Sequence, residues 1–176
     1  MFKKLIVLLV FTINFFLFNF ISAEELKINY VDIDVIISQS NAGKKMNKSI
    51  DISIQKKNKE FQKVEENLKK KDAEIVKQQN ILSKDELNKK IQDLQKEIQN
   101  YRVKKENFRK EMAQKKLKAT GQMVSSLNKI LGQYADKNSI SLIIQKKNIV
   151  IGKSDMDITK QILEIFNKEV KEIKIN

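Results

Sequence analysis

Residues 79–91, QNILSKDELNKKI, contain the turn that decides the fold. Within this stretch Ser83-Lys84-Asp85-Glu86 has the form of a capping box. In that arrangement the Ser83 hydroxyl accepts a hydrogen bond from the Glu86 amide, and the Glu86 carboxylate accepts one from the Ser83 amide. Because the chain contains no proline, the box is the one break that we predict in a helical stretch from Ser40 to about Lys137.

Apolar residues on both sides of this turn recur at heptad spacing, which predicts an antiparallel coiled-coil hairpin. They fall at seven-residue steps before the turn and at alternating steps of four and three after it. Folding the chain at Ser83 pairs positions whose numbers sum to about 166, such as Ile75 with Ile91. The two sides of the predicted seam are Ile54, Phe61, Leu68, Ile75 and Leu82, and Leu87, Ile91, Leu94, Ile98, Tyr101, Phe108 and Met112.

Three lysines lie in the predicted seam. In the folded register Lys105 faces Phe61, Lys57 faces Phe108 and Lys71 faces Leu94. Each lysine can lay its methylene stem along the opposing apolar side chain while its ammonium group reaches water, so no unpaired charge is buried. The seam is therefore predicted to be continuous but thin.

Two glycines lie at nearly matched heights at the foot of the hairpin, at Gly43 and Gly121. Glycine inside a helix costs about 1 kcal/mol relative to alanine, so a matched pair could loosen both helices at one level. We predict a hinge there. The alternative is that both are ordinary helix-end or packing glycines.

The two ends of the chain predict a small α/β body. Residues 26–32 have the alternation of a short strand, residues 140–144 and 149–151 are β-rich runs that predict a hairpin, and Asp157 is a candidate N-cap for a closing helix. The ends must meet to form one sheet, and so small a core is expected to oligomerise. The residues predicted for this oligomerisation surface are Ile28, Tyr30, Ile140, Leu142, Ile144, Ile149 and Ile151.

The positive charge of the chain is concentrated in the predicted arm. Residues 44–118 carry 23 Lys and Arg against 12 Asp and Glu, a net of +11, within a chain whose formal charge is +13. This excess of positive charge has two interpretations. It can be an ordinary solvated helix surface, or it can serve to attract an anionic partner. The predicted partner contacts are apolar residues left off the seam and nearby cations: Val76, Ile81, Val103, Lys70, Lys77, Lys90, Arg102 and Arg109. For Val76, Ile81 and Val103 the alternative explanation is that they are flanking seam residues or isolated surface residues.

The residue types present exclude most enzyme mechanisms. The chain has no Cys and no His, so thiol nucleophiles, imidazole bases, disulfides and the usual zinc, haem and iron–sulfur ligands are excluded. No catalytic residue, metal site or cofactor is predicted.

Residues 1–23 have the form of an export signal. Lys3 and Lys4 form a positive start, residues 5–20 are almost entirely apolar, and Ile21-Ser22-Ala23 supplies small residues before Glu24. We predict cleavage after Ala23. The apolar run is longer than usual for a signal peptide, so an uncleaved membrane anchor is the alternative.

The chain after this leader resembles the Skp/OmpH family of periplasmic chaperones. The resemblance is carried by KINYVD at 27–32, the Lys-rich hairpin, SISLII at 139–144 and SDMDIT at 154–159. The first and last of these are the most specific, since a coiled coil matches many unrelated proteins. The resemblance implies a jellyfish-like trimer, with a barrel-like core of small β bodies and three arms around a cavity. It implies that unfolded outer-membrane proteins are held there without ATP, and it supplies no catalytic residues.

These features together predict a mostly α protein with a small β body. A signal peptide occupies residues 1–23, a coiled-coil arm 44–121 with its tip near 82–84, and the oligomerisation body 24–43 and 122–176. We predict an ATP-independent periplasmic holdase that binds unfolded outer-membrane proteins and prevents their aggregation, with an anionic lipid surface as a further candidate partner.

Four other functions are less consistent with the residues. A membrane-anchored coiled-coil adaptor or spacer of the envelope requires that the leader is retained. A cytosolic prefoldin-like chaperone and a nucleic-acid binder are opposed by the leader, and the second also lacks an aromatic stacking platform. An enzyme is opposed by the absence of a nucleophile, a phosphate loop or a metal set.

Overall fold

The computed structural model describes residues 26–173, and the predicted signal peptide at residues 1–23 lies outside the described residues. Two long helices pack side by side as a hairpin, and short elements from both ends of the chain form a body at its base. In chain order the elements are strand β1 (Ile28–Val31), helices α1 (Ile33–Gln39), α2 (Asn41–Gln78) and α3 (Lys84–Lys137), strand β2 (Leu142–Gln145), 3₁₀ turns at Lys146–Asn148 and Ser154–Met156, and helix α4 (Thr159–Glu169).

The chain reverses between α2 and α3 where the capping box predicts. The Glu86 amide donates to Ser83 Oγ at 3.3 Å, and the Ser83 amide donates to Glu86 Oε2 at 3.1 Å. The hydrogen bonds from Ser83 lower the pKa of the Glu86 carboxyl, which favours the ionised form that the box requires. The predicted helical hairpin is therefore confirmed.

Side chains from both helices meet along the seam in the predicted register. The Phe61 ring contacts the rings of Tyr101 and Phe108 edge-on, each at a centroid distance of 5.9 Å. Nearer the tip, Lys71 Nζ lies 2.6 Å from Glu97 Oε1 across the seam. The buried seam residues are Phe61, Leu68, Leu94 and Met112.

The core of the protein lies in the body, where α3 continues past the arm. Its last turns pack against α1, the start of α2, and α4, and the largest fully buried side chains there include Phe166, Ile36 and Leu127. Helix α1 is absent from the sequence prediction. Its signal is Asp32, whose Oδ1 accepts a hydrogen bond from the Val35 amide at 3.0 Å as an N-cap.

The two ends of the chain share one sheet, as predicted, but its topology differs from the prediction. β1 and β2 pair in parallel, with Ile28 beside Leu142 and Tyr30 beside Ile144. The predicted hairpin to residues 149–151 is wrong. Residues 146–148 form a 3₁₀ turn, with the Ile149 amide donating to the Lys146 carbonyl at 3.0 Å, and residues 149–151 form no strand in the described part of the chain. Such a turn does not have the twist of the primed turns that usually join hairpin strands.

The segment that leads into α4 is fixed against the end of β1. The Ile158 amide donates to the Tyr30 carbonyl at 3.0 Å, and the Asp32 amide donates to Thr159 Oγ1 at 2.9 Å. Asp157 was the predicted N-cap, but the cap position belongs to Ile158, one residue later. The Asp157 carboxylate nevertheless accepts from the Thr159 amide at 2.9 Å, as an N-cap side chain does, and also from Lys146 Nζ at 2.8 Å.

These two hydrogen bonds stabilise the ionised form of the Asp157 carboxyl. Burial alone raises the pKa of its carboxyl, but the hydrogen bonds from Lys146 and Thr159 outweigh burial and lower the pKa below its usual value. The same contact raises the pKa of Lys146. The ion pair therefore joins the loop after β2 to the start of α4 over the neutral pH range.

Gly43 is packed too tightly to be an ordinary helix residue. A Cβ atom there would lie 1.8 Å from the carbonyl oxygen of Ile37 in α1, whereas a Cβ at Gly121 would meet no atom within 4 Å. The close approach of α1 explains Gly43 as a packing glycine. The predicted hinge at Gly43 and Gly121 stays a prediction.

Across residues 26–173 no helix is long and apolar enough to span a membrane.

Candidate functional site

The arm is a cationic surface whose charges are only partly neutralised. Of its 23 Lys and Arg, five form ion pairs in the described structure, and four of these pairs join neighbours on one helix. Pairs between exposed groups are worth about 0–1 kcal/mol each, because water and salt screen them. The arm therefore presents a large excess of positive charge to any partner.

A small cavity near the tip is lined by two cations and three carboxylates, so it has no excess of positive charge. It has a volume of about 220 Å³ and lies between the upper turns of α2 and α3. Lys71 pairs with Glu97 at 2.6 Å, and Lys90 Nζ donates to Gln78 Oε1 at 2.7 Å. Its lining residues are Lys71, Glu74, Ile75, Gln78, Lys90, Asp93, Leu94 and Glu97.

A larger cavity, the arm groove, opens where Lys105 interrupts the seam. Its volume is about 450 Å³, and buried or half-buried apolar side chains form its floor. Three cations and one carboxylate line it, in contrast to the tip cavity. The arm groove is lined by Ile50, Asp51, Ile54, Asn58 and Phe61 of α2 and by Lys105, Phe108, Arg109, Met112, Ala113 and Lys116 of α3.

The cations of the arm groove have weak partners or none. Lys105 Nζ donates to Tyr101 Oη at 3.4 Å and lies 5.6 Å from the centre of that ring. Arg109 reaches Glu106 at 3.9 Å, and its side chain is 78% exposed. Lys116 takes part in no ion pair of the described residues.

The predicted partner-contact residues are all exposed, but they do not gather into one site. Val76 and Ile81 lie near the tip, where Ile81 is 83% exposed, and Val103 lies on the outer surface of α3. Of the predicted cations, Lys90 lines the tip cavity and Arg109 lines the arm groove. The remaining predicted cations are exposed on the helices and line neither cavity: Lys70, Lys77 and Arg102.

The sequence prediction did not identify the arm groove as a site. Phe61, Phe108 and Met112 were assigned to the seam, and Lys116 was not singled out. The available signal was Lys105 opposite Phe61, because a lysine opposite an aromatic ring leaves a gap where a second apolar residue would fill the space.

The predicted oligomerisation residues differ in their exposure. Tyr30 is buried by the chain itself, and its hydroxyl donates to the Lys153 carbonyl at 3.1 Å. Leu142 is 48% exposed, and Ile151 is 92% exposed outside any strand. Val150, which the prediction omits, is fully exposed beside it, and the other predicted residues, Ile28, Ile140, Ile144 and Ile149, are half-buried.

Removing the capping hydroxyl tests how the tip is held. We expect Ser83→Ala to lower the free energy of unfolding by about 1 kcal/mol, because the Glu86 amide loses its acceptor. Urea denaturation followed by circular dichroism measures the change. Ser125→Ala, at an exposed position inside α3, is the matched control and should not destabilise the protein. Equal stability of the two variants would contradict a capping role for Ser83.

Residues 26–173 contain no group of three or more acidic side chains placed to hold a metal ion.

Comparison with known proteins gives one family and one fold. The family model "Outer membrane protein (OmpH-like)" matches residues 27–166. A crystal structure of an OmpH-like protein from Caulobacter crescentus CB15, named as a candidate outer membrane chaperone, superposes with a TM-score of 0.79 at 17% sequence identity. The superposition covers 86% of this chain and 89% of that one. At this identity the likeness concerns the fold. No curated protein matches the chain.

Proposed function

The chain belongs to the OmpH-like family of outer membrane proteins, and we propose that it is an ATP-independent holdase chaperone of the periplasm. In this role it binds unfolded outer-membrane proteins and prevents their aggregation before they reach the outer membrane. The observation that carries the proposal is the hairpin arm, which combines an uncompensated positive charge with apolar side chains left in solvent.

The chemistry of the arm suits a client that must be held weakly. Unfolded outer-membrane β-barrel chains expose alternating apolar residues and unpaired strand edges, which makes them aggregate in water. A cationic arm attracts an acidic client at long range, and scattered apolar residues such as Val76, Ile81 and Val103 give weak contacts at short range. Because each contact is weak, the client can leave without ATP.

A second part of the proposal is a homotrimer joined through the body. A two-stranded sheet is marginal by itself, and the β1–β2 sheet leaves Leu142 about half exposed, with Val150 and Ile151 close by in sequence. Burying these side chains against other copies removes apolar surface from water. The count of three comes from the family resemblance. Residues 24–43 and 122–176 are then the assembly body, and residues 44–121 the arm.

The third part is export by a cleaved leader. N-terminal sequencing of protein isolated from a membrane-free periplasmic fraction tests it. A first residue of Glu24 supports cleavage after Ala23. Retention of Met1, with the protein found only in membranes, would instead support the anchored adaptor.

The holdase proposal predicts aggregation suppression that weakens with salt. We expect the purified protein to keep a denatured β-barrel protein from scattering light after dilution from urea, without ATP. Raising the salt from about 0.05 to about 0.5 M should slow capture roughly tenfold, because the screening length falls from more than 10 Å to less than 5 Å. Stopped-flow light scattering measures the rate, and size-exclusion chromatography with multi-angle scattering measures the mass of the complex.

Two controls separate charge from other effects of salt. A denatured β-barrel protein with a basic net charge should be captured slowly at low salt and faster at high salt, because the cationic arm repels it and salt screens the repulsion. Capture of the acidic client at the same rate in low and high salt would refute the electrostatic part of the proposal. Failure to reduce scattering at any salt concentration would refute the holdase function.

A further inference from the structure

We propose that the arm groove binds short extended peptide segments in which apolar and acidic residues alternate. The inference rests on the proposed holdase function, since such segments would belong to the unfolded client. It gives the client a defined site on the arm, where the function alone requires only diffuse contacts.

The floor of the groove provides the apolar half of the site. Phe61 is 7% exposed and Met112 is 8% exposed, because both are packed in the seam between the two helices. Phe108 and Ile54 are half-buried, so part of each side chain is open to a ligand. The edge-to-face contact of Phe61 with Phe108 at 5.9 Å holds the floor in place without filling the opening. A volume of about 450 Å³ exceeds that of one side chain. The floor therefore accommodates several apolar side chains of a bound segment.

The rim of the groove provides the charged half. Lys105, Arg109 and Lys116 follow one another along α3 and therefore span about 16 Å at a rise of 1.5 Å per residue. Asp51 is the one carboxylate among the lining residues. The excess of positive charge on the rim is complementary to a segment that carries carboxylates at intervals.

The spacing of the first two cations fits an extended chain, and Lys116 lies about 10 Å further along the helix. Lys105 and Arg109 are separated by about 6 Å along the helix axis, and every second side chain of an extended peptide is separated by about 6.6 Å. A length of about 16 Å holds roughly five extended residues. In an extended segment successive side chains point to opposite sides, so apolar residues can face the floor while acidic residues reach the rim.

The distribution of charge distinguishes this occupant from an anionic amphiphile such as a fatty acid. A single-chain amphiphile carries its charge at one end, and its site needs cations gathered at one end of an apolar slot. Here the cations are distributed along the whole groove. The tip cavity supplies the internal contrast, because its Lys71 is already paired with Glu97 and offers little to a ligand.

Binding of two labelled peptides tests the proposal. The probe is a dye-labelled peptide of alternating leucine and glutamate, compared by fluorescence anisotropy with a peptide of alternating leucine and lysine. We expect the acidic peptide to bind the purified protein and the basic one to bind at least tenfold more weakly. A peptide of the same composition with its leucines and glutamates in separate blocks should also bind several-fold more weakly, because it cannot place both sets at once.

Charge removal from the rim provides the first variant and its control. The triple variant Lys105→Gln, Arg109→Gln and Lys116→Gln should weaken binding of the alternating acidic peptide about tenfold. The matched control is Lys104→Gln, Lys110→Gln and Lys118→Gln, which removes the same charge from exposed positions of the same helix outside the groove. It should weaken binding by no more than about twofold. Equal weakening by the two triple variants would overturn the proposal, since it would mean that only the overall charge matters.

A single added carboxylate provides the second variant. Ala113→Glu places an acid within the groove and should weaken binding of the acidic peptide several-fold, whereas Ala73→Glu adds the same charge at an exposed position of α2 outside it and should have little effect. Laurate is the competing probe. Displacement of the peptide by laurate at a lower concentration than by unlabelled peptide, with laurate binding weakened by Ala113→Glu and not by Ala73→Glu, would assign the groove to an amphiphile and overturn the proposal. Equal effects of the two substitutions on peptide binding would place the peptide outside the groove and would overturn it as well.

The two hypotheses fail in different ways. If the wild-type protein suppresses aggregation but the groove variants bind the peptide as the controls do, the peptide site is wrong and the holdase function stands. If the wild-type protein does not suppress aggregation, the holdase function is wrong, whatever the peptide measurements give.

Discussion

Gly43→Ala is expected to lower the free energy of unfolding by about 3 kcal/mol or more. The added Cβ would lie 1.8 Å from the Ile37 carbonyl oxygen and 3.0 Å from its carbon, so the backbone of α1 must move away from α2. Because α1 packs into the body core through Ile36, that movement disturbs the core as well. Urea denaturation at a fixed protein concentration measures the loss, since assembly would otherwise change the apparent stability.

Gly121→Ala is the matched control for this substitution. A Cβ at Gly121 meets no atom within 4 Å, and the residue lies inside α3. Alanine should therefore stabilise the protein by up to about 1 kcal/mol through its higher helix propensity. Opposite signs for the two variants are expected, and destabilisation of similar size by both would contradict the packing explanation of Gly43. The Gly121→Ala variant also tests the predicted hinge, because a hinge at this level should become stiffer while client capture slows.

Phe166→Ala is expected to cost about 3–5 kcal/mol of stability. Phe166 lies on α4, has no exposed surface, and packs in the cluster that joins α1, α3 and α4. Removing its ring leaves a cavity that the surrounding side chains fill only in part. The loss should appear as a lower urea midpoint with an unchanged slope, which would indicate that the body unfolds as a unit.

Leu117→Ala is the control for the loss of a large apolar side chain. Leu117 lies on α3 and is 73% exposed, so its removal should change stability by less than about 0.5 kcal/mol. If Phe166→Ala were as mild as Leu117→Ala, the body core would not be the part that holds the two chain ends together.

Much of the arm followed from local patterns in the sequence. The capping box at Ser83 predicts the place of the reversal, and the heptad spacing predicts the register. Phe61 contacts Tyr101 and Phe108, the aromatic residues on either side of its predicted partner Lys105. The arm groove was within reach of the same reasoning, but the lysines of the seam were interpreted as snorkelling residues. Which of their neighbours form a floor and a rim depends on how far the two helices stand apart.

The body was predicted less well. The shared sheet was expected, yet the pairing of β1 with β2 is parallel, the strand at residues 149–151 is absent from the described structure, and α1 was not predicted. Asp32 was a usable cap signal for α1, whereas nothing local distinguishes residues 149–151 from a strand. Their β-rich composition suits a strand, but a strand forms only beside another strand. In the described structure no strand of this chain lies beside residues 149–151.

The sequence by itself determined the hairpin, because capping and heptad packing depend on residues three to seven positions apart. Once the turn is placed, the two helices pair antiparallel at equal distances from it. Only the tertiary structure decided the body, because its parallel strands, the close approach of Ile37 to Gly43 and the anchoring of Thr159 to Asp32 join residues from distant parts of the chain. Such contacts depend on the geometry of the whole core, which no local pattern encodes.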